Sequence, residues 1–185
     1  MNSEEKLLWQ QAIDFHGHSC PGLAIGFRMV LEAKALLGIE KHSADEEIVC
    51  VTENNACGVD AVQALLSCTF GKGNLIYRAR GKMAMSFYCR NSGKSCRFIL
   101  NPLPEHTKEI SKADKMNYIL SEPFSALFTQ SQPHFVLPEK ASLYQSQCCS
   151  RCGELTAEPM LHYKEGKPIC IECDNTPVSM LFNTL

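Results

Sequence analysis

With 185 residues, 45% of them hydrophobic and 21% charged, the chain has the balance of an ordinary globular protein, long enough for one medium domain plus an appendage. A net charge of −2 gives no strong electrostatic case for nucleic acid or acidic lipid as partner, and no stretch approaches the ~20 apolar residues of a membrane span. The start, "MNSEEKLLWQQAIDF", sets acids where a secretory signal would be basic and then apolar; we expect a cytoplasmic chain whose eleven cysteines serve as metal ligands and free thiols rather than disulfides.

Ser3 is expected to cap a first helix running to about Ile13, with Glu4 and Glu5 set against its dipole and Leu7, Leu8, Gln11 and Ala12 at helical spacing. The stretch "DFHGHSCPG" (14–22) breaks that pattern. Pro21 suits the first turn of a second helix, in which Leu23, Phe27, Val30, Leu31 and Ala35 follow at three- and four-residue steps and Gly38 stops the run. "EEIVCVTEN" reads as a strand, and "CGVDAVQALLSC" as a third helix with Val59, Val62, Leu65 and Leu66 on its apolar face. "GKGN" (71–74) is a turn; it lacks the spacing of a phosphate loop, although Lys72 is placed to reach an anionic substrate. Three strands follow in "NLIYRARG", "KMAMSFYC" and "SCRFILN". Residues 105–131 read as helical with a break at Pro123, turning Met116, Ile119 and Leu120 inward, and "QPHFVLPEKASLYQSQ" as an extended linker. The pattern predicts an α+β fold: a mixed sheet packed with helices over 1–140, followed by a small module over 141–185.

That module carries the most specific signal. Cys149, Cys152, Cys170 and Cys173 form Cys-x2-Cys-x17-Cys-x2-Cys, the spacing of a four-thiolate structural zinc site. "LHYKEGKPI" between the pairs reads as a hairpin turning at Glu165-Gly166. So small a core needs the metal for its folding free energy. Cys148, one residue early, is a spare thiol or a replacement for Cys149. The bases Arg151, Lys164 and Lys167 are outnumbered by Glu154, Glu158, Glu165, Glu172 and Asp174, which disfavours nucleic acid. The apolar tail "VSMLF" (178–182) suggests docking onto the core or onto a second copy of the chain.

In the core, Cys20 and Cys57 each stand directly before a predicted helix, where free N–H groups and the dipole favour thiolate. His16 and His18 share a side if the backbone there is extended. Gly17, Gly22 and Gly58 allow close backbone approach, and Asp60 would cap the third helix or orient a histidine. We expect both helix starts to face one pocket lined by Phe15, His16, His18, Cys20, Cys57 and Asp60. His18, Cys20 and Cys57 are then candidate ligands for a second transition metal, zinc among them, and His16, His18, Cys57 and Asp60 are candidate catalytic residues. Cys50, Cys68, Cys89 and Cys96 read as small buried hydrophobes, and His42, His106, His134 and His162 as ordinary surface or core residues.

"FHGHSCPG" (15–22) leading into "GFRM", "CGVDAVQ" (57–63), and "CTFGKGN" (68–74) followed by "GKMAMSF" (81–87) resemble the FmdE/FwdE family, named for the E component of formylmethanofuran dehydrogenase. The likeness covers most of residues 10–100, and the C-terminal module is similar to one that some members carry. It implies an α+β core with a mixed sheet, a homodimer, and a metal near the histidine/cysteine motif, carried over to His16, His18, Cys20, Cys57 and Asp60. It also implies an accessory role beside a molybdenum or tungsten oxidoreductase. The chain is too short to enclose a pterin cofactor itself, and its paired cysteines suit zinc better than an iron–sulfur relay. Two other functions compete. One is a small metalloenzyme acting on a one-carbon or carbonyl substrate, with a metal-bound water or the Cys57 thiolate as nucleophile and His16 or His18 as general base. The other is a regulator binding nucleic acid through the zinc module, which its acidic balance opposes.

Overall fold

The computed structural model describes residues 1–40 and 43–175. His42 and the tail 178–182 lie outside the described residues. Two compact units divide the chain, Met1–Ala141 and Ser142–Leu185.

The first helix, α1 (Ser3–His16), is capped by Asn2 rather than Ser3. Asn2 Oδ1 accepts from Glu5 N at 2.8 Å while Glu5 Oε2 accepts from Asn2 N at 2.9 Å, a reciprocal box that leaves Ser3 free to be the first helical residue. The helix therefore runs past Ile13 to His16 and ends at Gly17, whose φ of 89° lies where only glycine rests without strain. Trp9 and Ala12 turn inward and Leu7 is exposed. The second helix, α2 (Pro21–Leu37), is the spine of the unit: Leu23, Phe27, Met29, Val30 and Ala33 are fully buried, and Phe27 packs on Trp9 with ring centroids 5.0 Å apart. Ala35, expected on that inward stripe, is exposed.

Five strands form the sheet: β1 (Ile48–Thr52), β2 (Leu75–Tyr77), β3 (Ala84–Cys89), β4 (Ser95–Leu100) and β5 (Phe128–Ser131), in the order β2-β1-β3-β4-β5. The β1–β2 pair is parallel, joined through α3 (Gly58–Leu66), and the others are antiparallel. Beyond β4 come a short 3-10 turn (Glu105–Lys108), α4 (Lys112–Ser121) and α5 (Phe124–Leu127). The helical reading of 105–131 thus fails at its end: Phe128 to Ser131 pair with β4, where open edge N–H and C=O groups recruit a short segment of no strong pattern. Ile119 is fully buried, with Met116 and Leu120 packed at the margin of the core. Arg28 on α2 ties down the end of α4, donating to the carbonyls of Ile119 at 2.7 Å and Glu122 at 2.8 Å.

Both sheet faces are covered. Cys50, Met85, Phe87, Cys96 and Phe98 face the helices, and Val49, Val51 and Tyr88 form a second cluster with Phe135. The segment after β5, read as a linker, lies over that second face: Tyr88 donates its hydroxyl to Phe135 O at 2.7 Å, and Arg90 donates to Pro138 O at 2.7 Å. The segment ends with Ala141 N donating to both Glu46 oxygens, at 3.0 and 3.1 Å. Under it, Arg97 donates to Glu53 at 2.6 Å, both side chains almost wholly buried.

In the second unit, β6 (Ser146–Cys148) pairs with β7 (Leu155–Ala157), and β8 (Leu161–Lys164) with β9 (Lys167–Cys170). The latter hairpin turns at Glu165-Gly166, with φ of 51° and 74°, the two-residue turn whose twist matches its strands. Among the described residues, no helix is long and apolar enough to cross a membrane.

Candidate metal centres

Glycine brings the core donors together. A Cβ at Gly26 would lie 2.0 Å from Gly58 O and 2.4 Å from Gly58 Cα, and one at Gly22 would lie 3.1 Å from Cys57 Cβ. The backbones of α2 and α3 therefore touch where no side chain fits, which sets the start of one beside the start of the other. Cys20 and Cys57, one at each start, converge there.

His16 joins them from the last turn of α1. Its donor nitrogen and the sulfurs of Cys20 and Cys57 all lie within 4.8 Å of one another, with Nε2 3.8 Å from Cys20 Sγ. The opposite nitrogen, Nδ1, lies 2.6 Å from Asp60 Oδ2. An ionised carboxylate only accepts, so Nδ1 carries the proton and Nε2 presents its lone pair to the sulfurs. Asp60 thus sits against the histidine and makes no helix cap of its own. One imidazole and two soft sulfurs suit a late transition metal.

The electrostatics at Cys57 differ from expectation. Cys20 caps α2, its sulfur accepting from Leu23 N at 3.3 Å, whereas Cys57 makes no capping bond. Burial, and then the neighbouring Cys20, push the Cys57 thiol above its ordinary value rather than toward thiolate. A bound cation reverses that, because a coordinating thiol is deprotonated.

Other candidates fall elsewhere. Gly17 turns the chain rather than extending it, yet the His16 and His18 rings still meet, with centroids 4.5 Å apart. His18 is exposed and is not one of the three clustered donors. Phe15 is 55% exposed, at the surface rather than lining a pocket. Lys72 donates to Ser43 O at 3.0 Å, so its ammonium holds a loop instead of facing a substrate. One group near the site escaped the sequence reading: Gln63, whose Nε2 donates to Asp60 Oδ1 at 3.0 Å. His162, read as an ordinary surface or core residue, has Nδ1 2.8 Å from Asp174 Oδ2. The three-residue helical spacing from Asp60 was the available signal for Gln63; a hairpin histidine gives none.

In the second unit, the sulfurs of Cys149, Cys152, Cys170 and Cys173 lie within 4.8 Å of one another, while Cys148 is exposed. Cys149 Sγ accepts from Cys170 N at 3.3 Å and Arg151 N at 3.4 Å, and Cys170 Sγ accepts from Cys173 N at 3.4 Å. The N–H groups of Cys170 and then Cys152 pull the Cys149 thiol down to about 6, while Cys170 beside it pushes Cys173 up to about 12. One ionised sulfur thus hinders the next, and four of them this close fit a divalent cation at their centre.

The family described as "FmdE, Molybdenum formylmethanofuran dehydrogenase operon" matches residues 15–129, a span containing His16, Cys20, Cys57 and the whole sheet up to β5. The chain belongs to the FmdE family. It is 31% identical over 206 aligned positions to the "Probable S-adenosyl-L-methionine-binding protein" of Archaeoglobus fulgidus, covering 93% of this chain and 54% of the relative. The chain therefore spans about half the length of that curated relative. Among solved structures, a tungsten formylmethanofuran dehydrogenase FmdE-like protein from Syntrophus aciditrophicus shares its fold, with a TM-score of 0.65, 23% identity and 94% of each chain covered. The FmdE core here is thus a mixed-sheet α+β unit with a His/Cys/Cys cluster at the crossing of two helix starts, and the second unit's cysteines fit a zinc module.

Proposed function

We propose that this FmdE-family protein is an accessory metalloprotein of a molybdenum- or tungsten-type oxidoreductase. Its core holds a transition metal through His16, Cys20 and Cys57, and its C-terminal module holds a structural zinc through Cys149, Cys152, Cys170 and Cys173. The observation that carries the reading is the convergence of one imidazole nitrogen and two sulfurs from two stretches of chain far apart in sequence. Tetrahedral zinc takes four ligands. His18, exposed beside His16, is the exchangeable fourth donor, open to displacement by a partner surface. The family's operon description supports the oxidoreductase as that partner, and the homodimer implied by the resemblance belongs to the same reading.

Metal analysis tests the core site. Wild type should carry two metal equivalents per chain and Cys57→Ala one; a single zinc in both leaves only the module. Co-elution with a molybdenum or tungsten oxidoreductase of the formylmethanofuran dehydrogenase type tests the accessory role, and separate elution of metal-loaded protein removes it. Light scattering at the mass of one chain would remove the dimer.

A three-donor site with an exchangeable position also favours a second reading, a small metalloenzyme acting on a one-carbon or carbonyl substrate. There a metal held by His16, Cys20 and Cys57 would supply an activated water, or Cys57 without the metal would be the nucleophile; His18, or His16 where it is not a ligand, would serve as base, and Asp60 would act through His16. The name of the Archaeoglobus relative adds S-adenosyl-L-methionine as a ligand to try. Turnover abolished in a folded, metal-loaded His18→Ala would favour this reading; equal turnover removes His18 from it.

A further inference from the structure

The carboxylate that orients His16 is itself held in place. Asp60 lies in the first turn of α3 with its side chain one-third exposed, so water competes for both its oxygens. Gln63, one turn further along the same helix, donates from Nε2 to Oδ1 at 3.0 Å, while Oδ2 meets His16 Nδ1 at 2.6 Å. The chain Gln63–Asp60–His16 thus ends on the nitrogen that faces Cys20 and Cys57. The two outer groups divide the carboxylate, one oxygen each, and this fixes its rotation. The packing of α1 on α3 has its own tie, Gln11 Nε2 donating to Ala64 O at 3.1 Å, so Gln63 is not needed to hold the helices together.

We propose that Gln63 is a positioning residue for the core metal centre. By occupying Oδ1 it aims Oδ2 at His16, keeps the proton on Nδ1, and holds the Nε2 lone pair toward the ion shared with Cys20 and Cys57. The inference rests on the core-metal reading above. Hydrogen-bond partners one step beyond the ligands typically change metal affinity by about 10–100-fold, because a wandering imidazole must be re-ordered each time the ion binds.

The test uses the full chain with Co2+ as probe, read by sulfur-to-cobalt charge-transfer absorbance, with Cys57→Ala identifying the bands that belong to the core. Gln63→Met keeps the length of the side chain and removes its donor. It should weaken Co2+ at the core by about 10–100-fold and leave the four-cysteine module unchanged. In the metal-free protein, 15N spectra of the His16 ring should show one Nδ1-protonated tautomer in wild type and a mixture in the variant, a signature that a purely structural glutamine would not move. Gln63→Glu, isosteric but setting a like charge against Asp60, should weaken the core at least as much, and it carries the test if Gln63→Met fails to fold. Equal affinity and an unchanged His16 tautomer in a folded variant overturn the proposal and leave the core-metal reading standing. A wild type that binds Co2+ only at the module overturns both.

Discussion

Gly26 has no room for a methyl group, since its added carbon would lie 2.0 Å from the carbonyl oxygen of Gly58. Backbone cannot yield as a flexible side chain does. Gly26→Ala should therefore cost about 1–3 kcal/mol or more, read from the urea midpoint, and should reduce core metal content because the same crossing joins Cys20 to Cys57. Burial governs the inward thiols differently. It pushes Cys50 well above the ordinary range, and Cys68 and Cys96 to about 12. The unfolded chain releases these protons near pH ~9 and the folded chain keeps them, so stability is level below that point and falls as pH rises through the window from there to about 12. Urea midpoints should drop between neutral pH and about pH 10, and the drop should be smaller in Cys96→Ala; an equal drop would move the cause elsewhere. At this scale much of the candidate centre was legible, because histidine and cysteine crowded around Pro and Gly have few other uses. The protonation of Cys57 was not, since desolvation depends on neighbours that the chain order conceals. Nor was Gln63, because an amide declares no chemistry until its acceptor is known.

Among the elements, the helices read well and the last strand did not. The inward stripe of α3 carries Val59, Val62, Leu65 and Leu66, all buried, and periodicity alone finds it. β5 is four residues, Phe128–Ser131, too short for alternation to register, and it is a strand only because β4 offers an open edge. Cap positions slipped by one for a similar reason: Asn2 and Ser3 are both good caps, and the reach of Glu5 decides between them. The link from α2 to α4 depends on one side chain. Arg28 satisfies two carbonyls at the end of α4, and hydrogen bonds to a charged group contribute about 1.5–3 kcal/mol. Arg28→Ala should therefore lower the urea midpoint correspondingly and loosen amide protection first in α4; uniform loss across the core would place the cost in packing instead.

Across the whole molecule, two different sources of stability operate. The first unit buries a continuous apolar core around α2, whereas among the described residues of the second only Leu161 and Ile169 are buried beside its cysteines, a core small enough to lean on cross-links for folding. A chelator at neutral pH should abolish amide protection in the four-cysteine module and leave Trp9, the chain's one tryptophan, in its buried emission band. Loss of both signals together would show that the first unit also depends on metal to fold. Composition is what suggests a separate second part, since cysteine density rises sharply after Cys148. The strap over the second sheet face was not, because two prolines and scattered polar residues look like tether until Phe135, Pro138 and Ala141 find Tyr88, Arg90 and Glu46.

The grip of Glu46 on Ala141 gives the core a sealed margin. Leu143 and Tyr144, immediately beyond it, are exposed and suit a protease that cuts after large apolar side chains. A nick there would cut the backbone between the two units without peeling back the covering of the sheet.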